Sequence, residues 1–260
     1  MNNIYFVSGG KDSTAMLIRA LEEGEDVNRV MFLDTTLEFP ELYEYLDRVD
    51  EYIKGYGVHV ERIITSQHSF EHLFYRPHQS GASAGRIQGF PYAAFSGFCW
   101  IRREFKKFPK PRPHADDCHH IGIAYDERHR TNRKTYSEEV ACVGCAPFAD
   151  NCNVMTTRIS KHYRFPLIEW KMTERDCLNF LADRDLLNPL YERFKRIGCW
   201  LCPYQSKKSL EQLYLHYPEY WNQLLIYEHD SPQQYLIDGS LKDLGIVFGK
   251  RNETKQTTLT

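Results

Sequence analysis

The sequence predicts an α/β protein built on an open, mostly parallel, twisted sheet with helices on both faces. Short apolar runs at residues 4–7, 29–34 and 58–64 are typical of buried strands, and amphipathic segments of helical period separate them. A glycine turn, Ser8–Ser13, connects the first run to the first amphipathic segment. Alternating strands and helices imply right-handed crossovers and a parallel sheet, so the expected architecture is Rossmann-like.

Each of the first elements follows from its side chains. Ile4–Val7 is apolar enough for a buried strand, and Ala15–Leu21 places apolar residues on the buried side of a first helix. Pro40 suits the first turn of a second helix, because its missing N–H would have no partner there. The sheet is expected to resume at His120–Tyr125.

Two long segments interrupt the predicted sheet. Residues 66–119 are rich in glycine and proline, and residues 126–162 carry three cysteines. We interpret both as insertions, with approximate limits, in an α/β domain at residues 1–170. A helical C-terminal region at residues 171–260 is expected to pack on that domain.

Capping patterns define the predicted helices of the C-terminal region. Thr173 with Asp176 forms a candidate capping box, and Ser209 with Gln212 forms a second one. Pro218 is expected to start a further helix. The last ten residues are polar, and we expect them to fray.

Composition indicates an ordinary globular chain without a membrane span. Its 260 residues are 42% hydrophobic and 26% charged, and no apolar run is long enough to cross a bilayer. The N-terminus enters a strand without the basic flank and apolar core of a signal peptide. We therefore expect a cytoplasmic protein that has no membrane partner.

Charge is unevenly distributed along the chain. The formal net charge is −2, yet residues 1–57 are acidic, whereas residues 102–112 and 193–208 are basic. Two basic stretches in a nearly neutral chain predict one anionic ligand site rather than a wholly basic surface.

The Ser8–Ser13 turn has the properties of a phosphate-binding loop. Gly9 and Gly10 permit positive φ and keep Cβ atoms away from a ligand. Backbone N–H groups at the start of the following helix favour an anion, and Lys11 adds a positive charge. The hydroxyls of the two terminal serines are further candidate donors to phosphate. The loop is shorter than the Walker sequence.

These residues belong to a wider resemblance. Ser-Gly-Gly-Lys-Asp-Ser resembles the PP-loop of the adenine nucleotide alpha-hydrolase superfamily, which has the HUP-like fold. Asp34–Pro40 resembles the D-T-G-x-E-F-P segment of phosphoadenosine phosphosulfate (PAPS) reductases, with Thr36 in place of the glycine. Gly122–Arg130 is similar to the G-x-R-x-D-E-x-x-R segment of that family, with Ala124 in place of arginine. The chain therefore resembles a PAPS reductase-like PP-loop protein, and further similar segments are Gly89–Lys106, Pro166–Trp170 and Ile197–Pro203.

The resemblance implies that the chain binds an adenine nucleotide. The nucleotide is ATP or a sulfonucleotide, either PAPS or adenylyl sulfate (APS), and Mg²⁺ is expected on its phosphate oxygens. Lys11, Asp12 and Asp34 are the candidate catalytic residues. Arginine suits bidentate contact with phosphate or sulfate, so several arginines are included in the site. The predicted nucleotide-binding residues are Ser8, Gly9, Gly10, Lys11, Asp12, Ser13, Asp34, Thr35, Arg102, Asp126, Glu127, Arg130 and Arg196.

Eight cysteines are many for a chain expected in a reducing compartment, where structural disulfides are rare. Cys142, Cys145 and Cys152, the three-cysteine group, have the spacing of metal ligands. Cys199 and Cys202 form a further Cys-x-x-Cys pair. Cys177 lies in a predicted helix, and we assign it to the core.

The spacing of the cysteines and the family resemblance are compatible with two kinds of metal site, an iron–sulfur cluster and a zinc site. Several PP-loop thiolation enzymes hold a [4Fe–4S] cluster with three cysteines, which favours the three-cysteine group, with Cys118 as a further ligand. Adenylyl sulfate reductases use a Cys-Cys pair with a later Cys-x-x-Cys pair, but here Cys99 is followed by Trp100. Zn²⁺ bound by cysteines with His119 or His120 is the alternative. The candidate metal ligands are Cys142, Cys145, Cys152, Cys118, Cys99, Cys199 and Cys202.

Three functions are compatible with these residues. The first is a PP-loop enzyme that cleaves ATP between the α and β phosphates for adenylation or sulfur transfer, as in transfer-RNA thiolation or DNA phosphorothioation. The second is a PAPS or APS reductase that forms sulfite, although such reductases use a cysteine near the C-terminus and none follows Cys202. The third is a non-catalytic, metal-stapled module that binds nucleic acid or another partner. Expected partners are an adenine nucleotide, a sulfur donor protein or a nucleic-acid substrate, and a homodimer is compatible with the sequence.

Overall fold

The structure is a computed structural model that describes residues 2–90, 99–106, 116–133, 136–141 and 155–257. The chain divides into two units, each drawn from three segments. The units are interleaved along the chain, whereas the sequence predicts a linear division at residue 170. The first unit comprises Met1–Phe32, Glu44–Arg62 and Pro111–Asn188, and the second comprises Leu33–Tyr43, Ile63–Lys110 and Pro189–Thr260.

A five-stranded sheet confirms the predicted α/β class. The described strands are β1 (Asn2–Val7), β2 (Arg29–Leu33), β3 (Val60–Ile63), β4 (Asp117–Ile121), β5 (Ser137–Ala141), β6 (Met155–Ile159) and β7 (Tyr163–Arg164). The sheet has the order β3-β2-β1-β4-β7, and β5 and β6 form a separate antiparallel pair. β1 pairs in parallel with β2 and β4, and β4 pairs in parallel with β7. Strand order reverses between β1 and β4, the point at which ligands bind in open parallel sheets.

The fourth strand begins earlier than its sequence predicts. The prediction placed it at His120–Tyr125, but β4 runs from Asp117 to Ile121. Its residues are mostly polar, so they lack the apolar run by which a buried strand is recognised. They are nevertheless buried, because β4 lies between β1 and β7, and the His120 ring stacks on Tyr5 of β1 with 4.1 Å between ring centroids.

The first helix is buried around most of its surface. Ala15, Met16, Leu17 and Ile18 are fully buried, as their apolar pattern predicts. The described α-helices are α1 (Lys11–Glu22), α2 (Pro40–Ile53), α3 (Phe70–Phe74), α4 (Trp100–Phe105), α5 (Pro166–Glu169), α6 (Glu174–Ala182), α7 (Lys207–His216), α8 (Pro218–Asp230) and α9 (Leu241–Thr257). Within the first unit, α1 packs against α6. Short 3₁₀ helices cover Lys54–Tyr56, Tyr125–Asn132 and Pro189–Glu192.

Of the three helix starts predicted in the C-terminal region, two are confirmed. Thr173 and Asp176 form the reciprocal capping box of α6, and α8 begins at Pro218. The predicted box at Ser209 is wrong, because Ser206 caps α7 and its hydroxyl oxygen accepts the Ser209 N–H at 3.1 Å. The two residues between these serines are lysines, which are good helix formers, so the helix extends one turn further toward the N-terminus.

The C-terminal end of the described chain is helical rather than frayed. The prediction of fraying over the last ten residues is wrong as far as Thr257, where α9 ends. Its last turns are polar, but most of these residues have high helix propensity. Within the second unit α9 packs against α7 and α8, and Phe248 of α9 is buried.

An aromatic cluster forms part of the core of the second unit. The Phe70 ring of α3 stacks on the Trp100 ring of α4 with 5.5 Å between centroids, and Tyr227 of α8 packs edge-on against Phe70. The indole N–H of Trp100 donates to the Gly89 carbonyl oxygen at 3.1 Å. This cluster ties α3, α4 and α8 together although they are far apart in the sequence.

Candidate functional site

The loop after β1 has the geometry of a phosphate cradle. Gly9 has φ of 70°, a left-handed conformation that glycine adopts without strain. Gly10 is extended, with φ of −83° and ψ of 156°, and it caps α1, so the helix begins at Lys11. The buried Asn188 side chain donates its amide N–H to the Gly9 carbonyl oxygen at 2.9 Å. Sequence reasoning missed Asn188, because no local pattern connects it to the loop.

The two serines of the loop stabilise the loop itself. The Ser8 backbone N–H donates to Ser13 Oγ at 3.0 Å, and the two hydroxyl oxygens are 3.2 Å apart. The Ser13 hydroxyl also lies 3.2 Å from the Gly10 carbonyl oxygen, to which it donates. Their predicted role as donors to phosphate stays a prediction.

Lys11 lies among carboxylates at the start of α1. Its ammonium nitrogen is 3.3 Å from Asp12 Oδ2 and 3.2 Å from Glu174 Oε1, and its side chain is only 10% exposed. Carboxylate oxygens of Asp12, Glu127 and Glu174 lie within 4.8 Å of one another. Burial raises the pKa of Asp12; Lys11 opposes this shift, whereas Glu174 and Glu127 add to it. A cation therefore stabilises this group, and Lys11 supplies one.

The same three carboxylates fit Mg²⁺ by the type of their donor atoms. Mg²⁺ binds hard oxygen ligands, and carboxylates are its usual protein partners. Asp12 Oδ1 is buried and has no hydrogen-bond partner among the described residues, so this oxygen is unsatisfied. An unsatisfied buried oxygen is costly, and a bound cation would remove that cost.

Gly122 allows the segment after β4 to lie against the start of α1. A Cβ atom on Gly122 would lie 2.6 Å from Ser13 Cα and 2.8 Å from the Ser13 backbone nitrogen. Real Cβ atoms do not approach backbone so closely, so only glycine fits at this position. This contact fixes the loop after β1 against the loop after β4, at the reversal of strand order.

The charged residues after β4 are paired within the protein. Arg130 forms an ion pair with Glu127, and Asp126 Oδ1 accepts the Glu174 N–H at 3.1 Å at the start of α6. The prediction that Asp126, Glu127 and Arg130 bind nucleotide stays a prediction. In this structure Asp126 stabilises a helix end, and Glu127 belongs to the carboxylate group beside Lys11.

A cavity of about 770 Å³ adjoins the same segment within the first unit. It is open to solvent and combines charged groups with aliphatic and aromatic side chains. Its volume is in the range of small-molecule sites. Its lining residues are Asp126, Arg128, His129, Thr131, Asn132, Ile159, Tyr163, Arg164, Phe165, Ile168 and Glu169.

The second unit contains the segment that follows β2. Asp34 Oδ1 accepts the Thr36 backbone N–H at 2.7 Å and the Tyr43 hydroxyl at 2.8 Å. Thr36 has φ of 61°, so it keeps the left-handed conformation that suits the glycine found there in PAPS reductases. A β-branched residue is strained in that conformation, and the two bonds to Asp34 hold the turn in place.

A polar cluster beside this turn joins three distant segments of the second unit. Thr35 Oγ1 donates to Glu38 Oε1 at 2.9 Å, and the Lys106 ammonium nitrogen is 3.2 Å from the same oxygen. Cys199 Sγ lies 3.4 Å from Thr35 Oγ1. Burial would lower the pKa of Lys106, but Glu38 and Cys199 raise it above its ordinary value, so Lys106 stays protonated. Sequence reasoning placed Thr35, Lys106 and Cys199 in separate motifs and left Glu38 without a role.

Three thiols of the second unit are close enough to influence one another. The Cys202 backbone N–H donates to the Cys199 carbonyl oxygen at 3.0 Å, so the pair forms a tight turn. Burial raises the pKa of Cys199 to about 12. Burial also raises the pKa of Cys202, and Cys99 adds to that shift. Metal ligands must be thiolates, and a bound metal ion would offset the cost of burying that negative charge.

Cys99, Cys199 and Cys202 offer thiolate sulfur atoms, the donor type that binds both zinc and iron–sulfur clusters.

The remaining predicted residues divide between the two units. Arg102 and Arg196 are exposed and lie in the second unit. Cys118 is buried in β4 of the first unit, and Cys177 is fully buried in α6, which confirms its assignment to the core. Cys142, Cys145 and Cys152 lie outside the described residues. Within the described parts of the chain, no helix is both long enough and apolar enough to cross a membrane.

Comparison with protein families gives a match in the N-terminal part of the chain, which contains the loop after β1. Residues 2–79 match the family described as the phosphoadenosine phosphosulfate reductase domain. Two uncharacterized proteins of Methanocaldococcus jannaschii, MJ0066 and MJ0973, are 27% and 26% identical over 82% and 83% of this chain. These matches cover 38% and 44% of the two proteins, so the chain spans about two fifths of the length of these curated relatives.

One similar solved structure is the U34-tRNA thiolase NcsA from Methanococcus maripaludis with its [4Fe–4S] cluster. It is 16% identical, and the match covers 88% of this chain and 71% of that chain with a TM-score of 0.38.

Proposed function

We propose that this chain, whose residues 2–79 match the phosphoadenosine phosphosulfate reductase domain, is a PP-loop enzyme that binds an adenine nucleotide and cleaves ATP between the α and β phosphates. The observation that carries the proposal is the Ser8–Ser13 loop with Lys11 at the first position of α1. The start of a helix offers backbone N–H groups and a positive dipole to the pyrophosphate part of ATP. The position between β1 and β4 supports the same site.

Lys11 has a defined part in the proposed reaction. Its ammonium group is held beside the loop by Asp12 and Glu174, so it is already oriented and largely desolvated. A positive charge in a site with little water stabilises the charge that develops on the leaving pyrophosphate. Lys11 would exchange one carboxylate partner for a phosphate oxygen when the nucleotide binds.

The carboxylates beside Lys11 are the proposed ligands of Mg²⁺. Asp12, Glu127 and Glu174 would hold Mg²⁺, which neutralises phosphate charge when it is bound. Without a second cation, three carboxylates would repel a triphosphate. The proposal therefore requires that nucleotide and Mg²⁺ bind together.

Replacing Lys11 by alanine tests the cradle. We expect Lys11→Ala to lower the rate of pyrophosphate release from ATP roughly tenfold to a hundredfold, because one charged hydrogen bond to phosphate is lost. The measurement is a coupled pyrophosphate assay with Mg·ATP. Lys161→Ala is the matched control, since Lys161 is an exposed lysine of the same unit.

Two results would contradict the proposed reaction. An unchanged rate in Lys11→Ala would place the phosphates elsewhere. Release of orthophosphate instead of pyrophosphate would show cleavage at the terminal phosphate. Sulfite formation from a sulfonucleotide would instead support the reductase alternative.

We further propose that the chain transfers sulfur and that Cys99, Cys199 and Cys202 hold a [4Fe–4S] cluster in the second unit. The support is that these thiols lie close enough to influence one another and that each is partly buried. A cluster would supply an iron atom at which sulfur from a donor can bind. The Lys106 ammonium group would offset part of the negative charge of the thiolates. Zn²⁺ is the alternative metal, and the ligand role of Cys142, Cys145, Cys152 and Cys118 stays a prediction from the sequence.

The metal content of Cys199→Ser tests this assignment. We expect protein purified without oxygen to show a broad visible absorbance band and to contain iron, and we expect Cys199→Ser to lose most of both. Cys177→Ala is the control, because Cys177 is a core thiol of the first unit. Stoichiometric zinc in place of iron, or full retention of iron in Cys199→Ser, would overturn the assignment.

A further inference from the structure

A long segment of the second unit is free of acidic residues. Residues 72–103 contain four arginines and no Asp or Glu, although the chain has 35 acidic residues in total. At that overall frequency, a run of this length would contain about four acidic residues. The arginines are Arg76, Arg86, Arg102 and Arg103. Positive charge without interspersed acid is typical of a surface that meets a polyanion.

Two of these arginines lie on a hairpin, residues 76–88, which we name the basic hairpin. The His78 N–H donates to the Arg86 carbonyl oxygen and the Gln88 N–H donates to the Arg76 carbonyl oxygen, each at 2.9 Å. Arg76 and Arg86 are both exposed, one on each side of the hairpin. The Arg76 guanidinium donates to the amide oxygen of Gln88 at 2.9 Å. Gln88 is neutral, so this hydrogen bond does not compensate the positive charge of Arg76.

The base of the basic hairpin is fixed to the aromatic core. The Gly89 N–H donates to the Phe74 carbonyl oxygen at 2.9 Å, and Phe74 packs against Tyr227 with 4.9 Å between ring centroids. The Tyr75 hydroxyl donates to Asp230 Oδ2 at 2.7 Å. A fixed base lowers the entropy that binding would cost. Two acidic residues near the base, Glu71 and Asp230, accept hydrogen bonds from tyrosine hydroxyls.

The exposed tip of the hairpin has only short side chains between Gln79 and Arg86. Gly81 and Gly85 have positive φ, and no atom lies within 4 Å of where a Cβ on either would be. The tip therefore offers no apolar pocket for the side chains of a peptide. The charge lies on Arg86 beside the tip, and arginine side chains are among the usual contacts to a phosphate backbone.

We propose that the basic hairpin binds the phosphodiester backbone of a polynucleotide. The forked guanidinium groups of Arg76 and Arg86 match phosphate oxygens in bidentate fashion. The inference rests on the proposed function in one respect, since the bound polynucleotide would be the acceptor of the adenylate or the sulfur. Binding itself requires neither ATP cleavage nor a metal.

Fluorescence anisotropy on the full chain tests the proposal. The probes are a labelled single-stranded RNA and a single-stranded DNA of the same sequence, each titrated between about 50 and 200 mM KCl. The double variant Arg76→Ala/Arg86→Ala should bind about twentyfold more weakly at 100 mM salt, and the slope of log affinity against log salt should fall by about 1.4. The matched control is Lys242→Ala/Lys250→Ala, which removes two exposed lysines of α9 in the same unit. An equal loss of affinity for RNA and DNA supports contact with the phosphate backbone. A loss of affinity for RNA alone supports backbone contact together with a contact to the ribose 2′-hydroxyl.

Several results would overturn the proposal. These are wild-type affinity in the arginine variant, an equal loss in the lysine control, an absence of binding by the wild-type chain, or equal displacement of RNA by polyglutamate. Thermal unfolding shows whether each variant is folded, and the milder variant Arg76→Gln/Arg86→Gln replaces the alanine variant if it is not. Pyrophosphate release without polynucleotide should be unchanged in the arginine variant. A chain that binds RNA through the hairpin but does not cleave ATP would refute the proposed function alone.

Discussion

Replacing Gly122 by alanine is expected to destabilise the first unit by about 3 kcal/mol and to abolish nucleotide binding. The new Cβ atom would lie 2.6 Å from Ser13 Cα and 3.0 Å from the Asp12 carbonyl carbon. Both of these atoms are backbone, so no side chain can rotate away. β4 cannot retreat easily either, because it is hydrogen-bonded to β1 along its length. The loop that would hold the phosphates must therefore open.

Thermal unfolding and ATP titration calorimetry would measure both effects. We expect the midpoint of unfolding to fall by on the order of 10 °C. Gly55→Ala is the matched control, since Gly55 lies in the first unit and a Cβ there would meet no atom within 4 Å. Its midpoint should stay the same or rise slightly. A Gly122→Ala variant with wild-type stability and ATP affinity would show that the contact with α1 is not tight in solution.

Lowering the pH from about 7 to about 4 is expected to remove about 3 kcal/mol of stability through His120 alone. The pKa of His120 is lowered to about 4, mainly by burial, with smaller lowering contributions from Arg164 and His119 and an opposing one from Glu25. The ring is 1% exposed, and its Nδ1 atom has no hydrogen-bond partner among the described residues. The folded protein therefore holds this histidine neutral.

The direction of the pH effect follows from how many protons the folded and unfolded states bind. Unfolded histidine binds a proton below about pH 6.5, whereas the folded protein resists protonation down to about pH 4. The unfolded state thus binds more protons in this window, so stability is greatest above pH 6.5 and is lost as the pH falls toward 4. Burial also lowers the pKa of His119, which adds to the loss.

Urea unfolding at pH 7.5 and 4.5 would test this, with His120→Gln as the variant. Glutamine does not titrate, so this variant should lose about 2.5 kcal/mol less stability between the two pH values than the wild type does. His129→Gln is the control, because His129 is exposed in the same unit and should keep the wild-type dependence. Identical pH dependence in wild type and His120→Gln would contradict the assignment to His120.

The sequence predicted those elements that are formed by residues close together in the chain. The β1–loop–α1 corner depends on an apolar run, two glycines and the residues that follow, all within Ile4–Leu21. The capping box of Thr173 and Asp176 is likewise made by neighbours in the chain. The extent of β4 could not be predicted in this way, because its polar residues are buried only through pairing with β1 and β7.

By itself, then, the sequence determined the α/β class, the place of the glycine loop between β1 and α1, and the Cys199–Cys202 pair. Only the tertiary structure decided which groups meet: Lys11 with Glu174, Gly122 with Ser13, and Glu38 with Lys106 and Cys199. The physical reason is the distance along the chain over which each effect acts. Backbone conformation responds to a few adjacent residues, whereas the charge and protonation of a site depend on side chains that packing brings from distant parts of the chain.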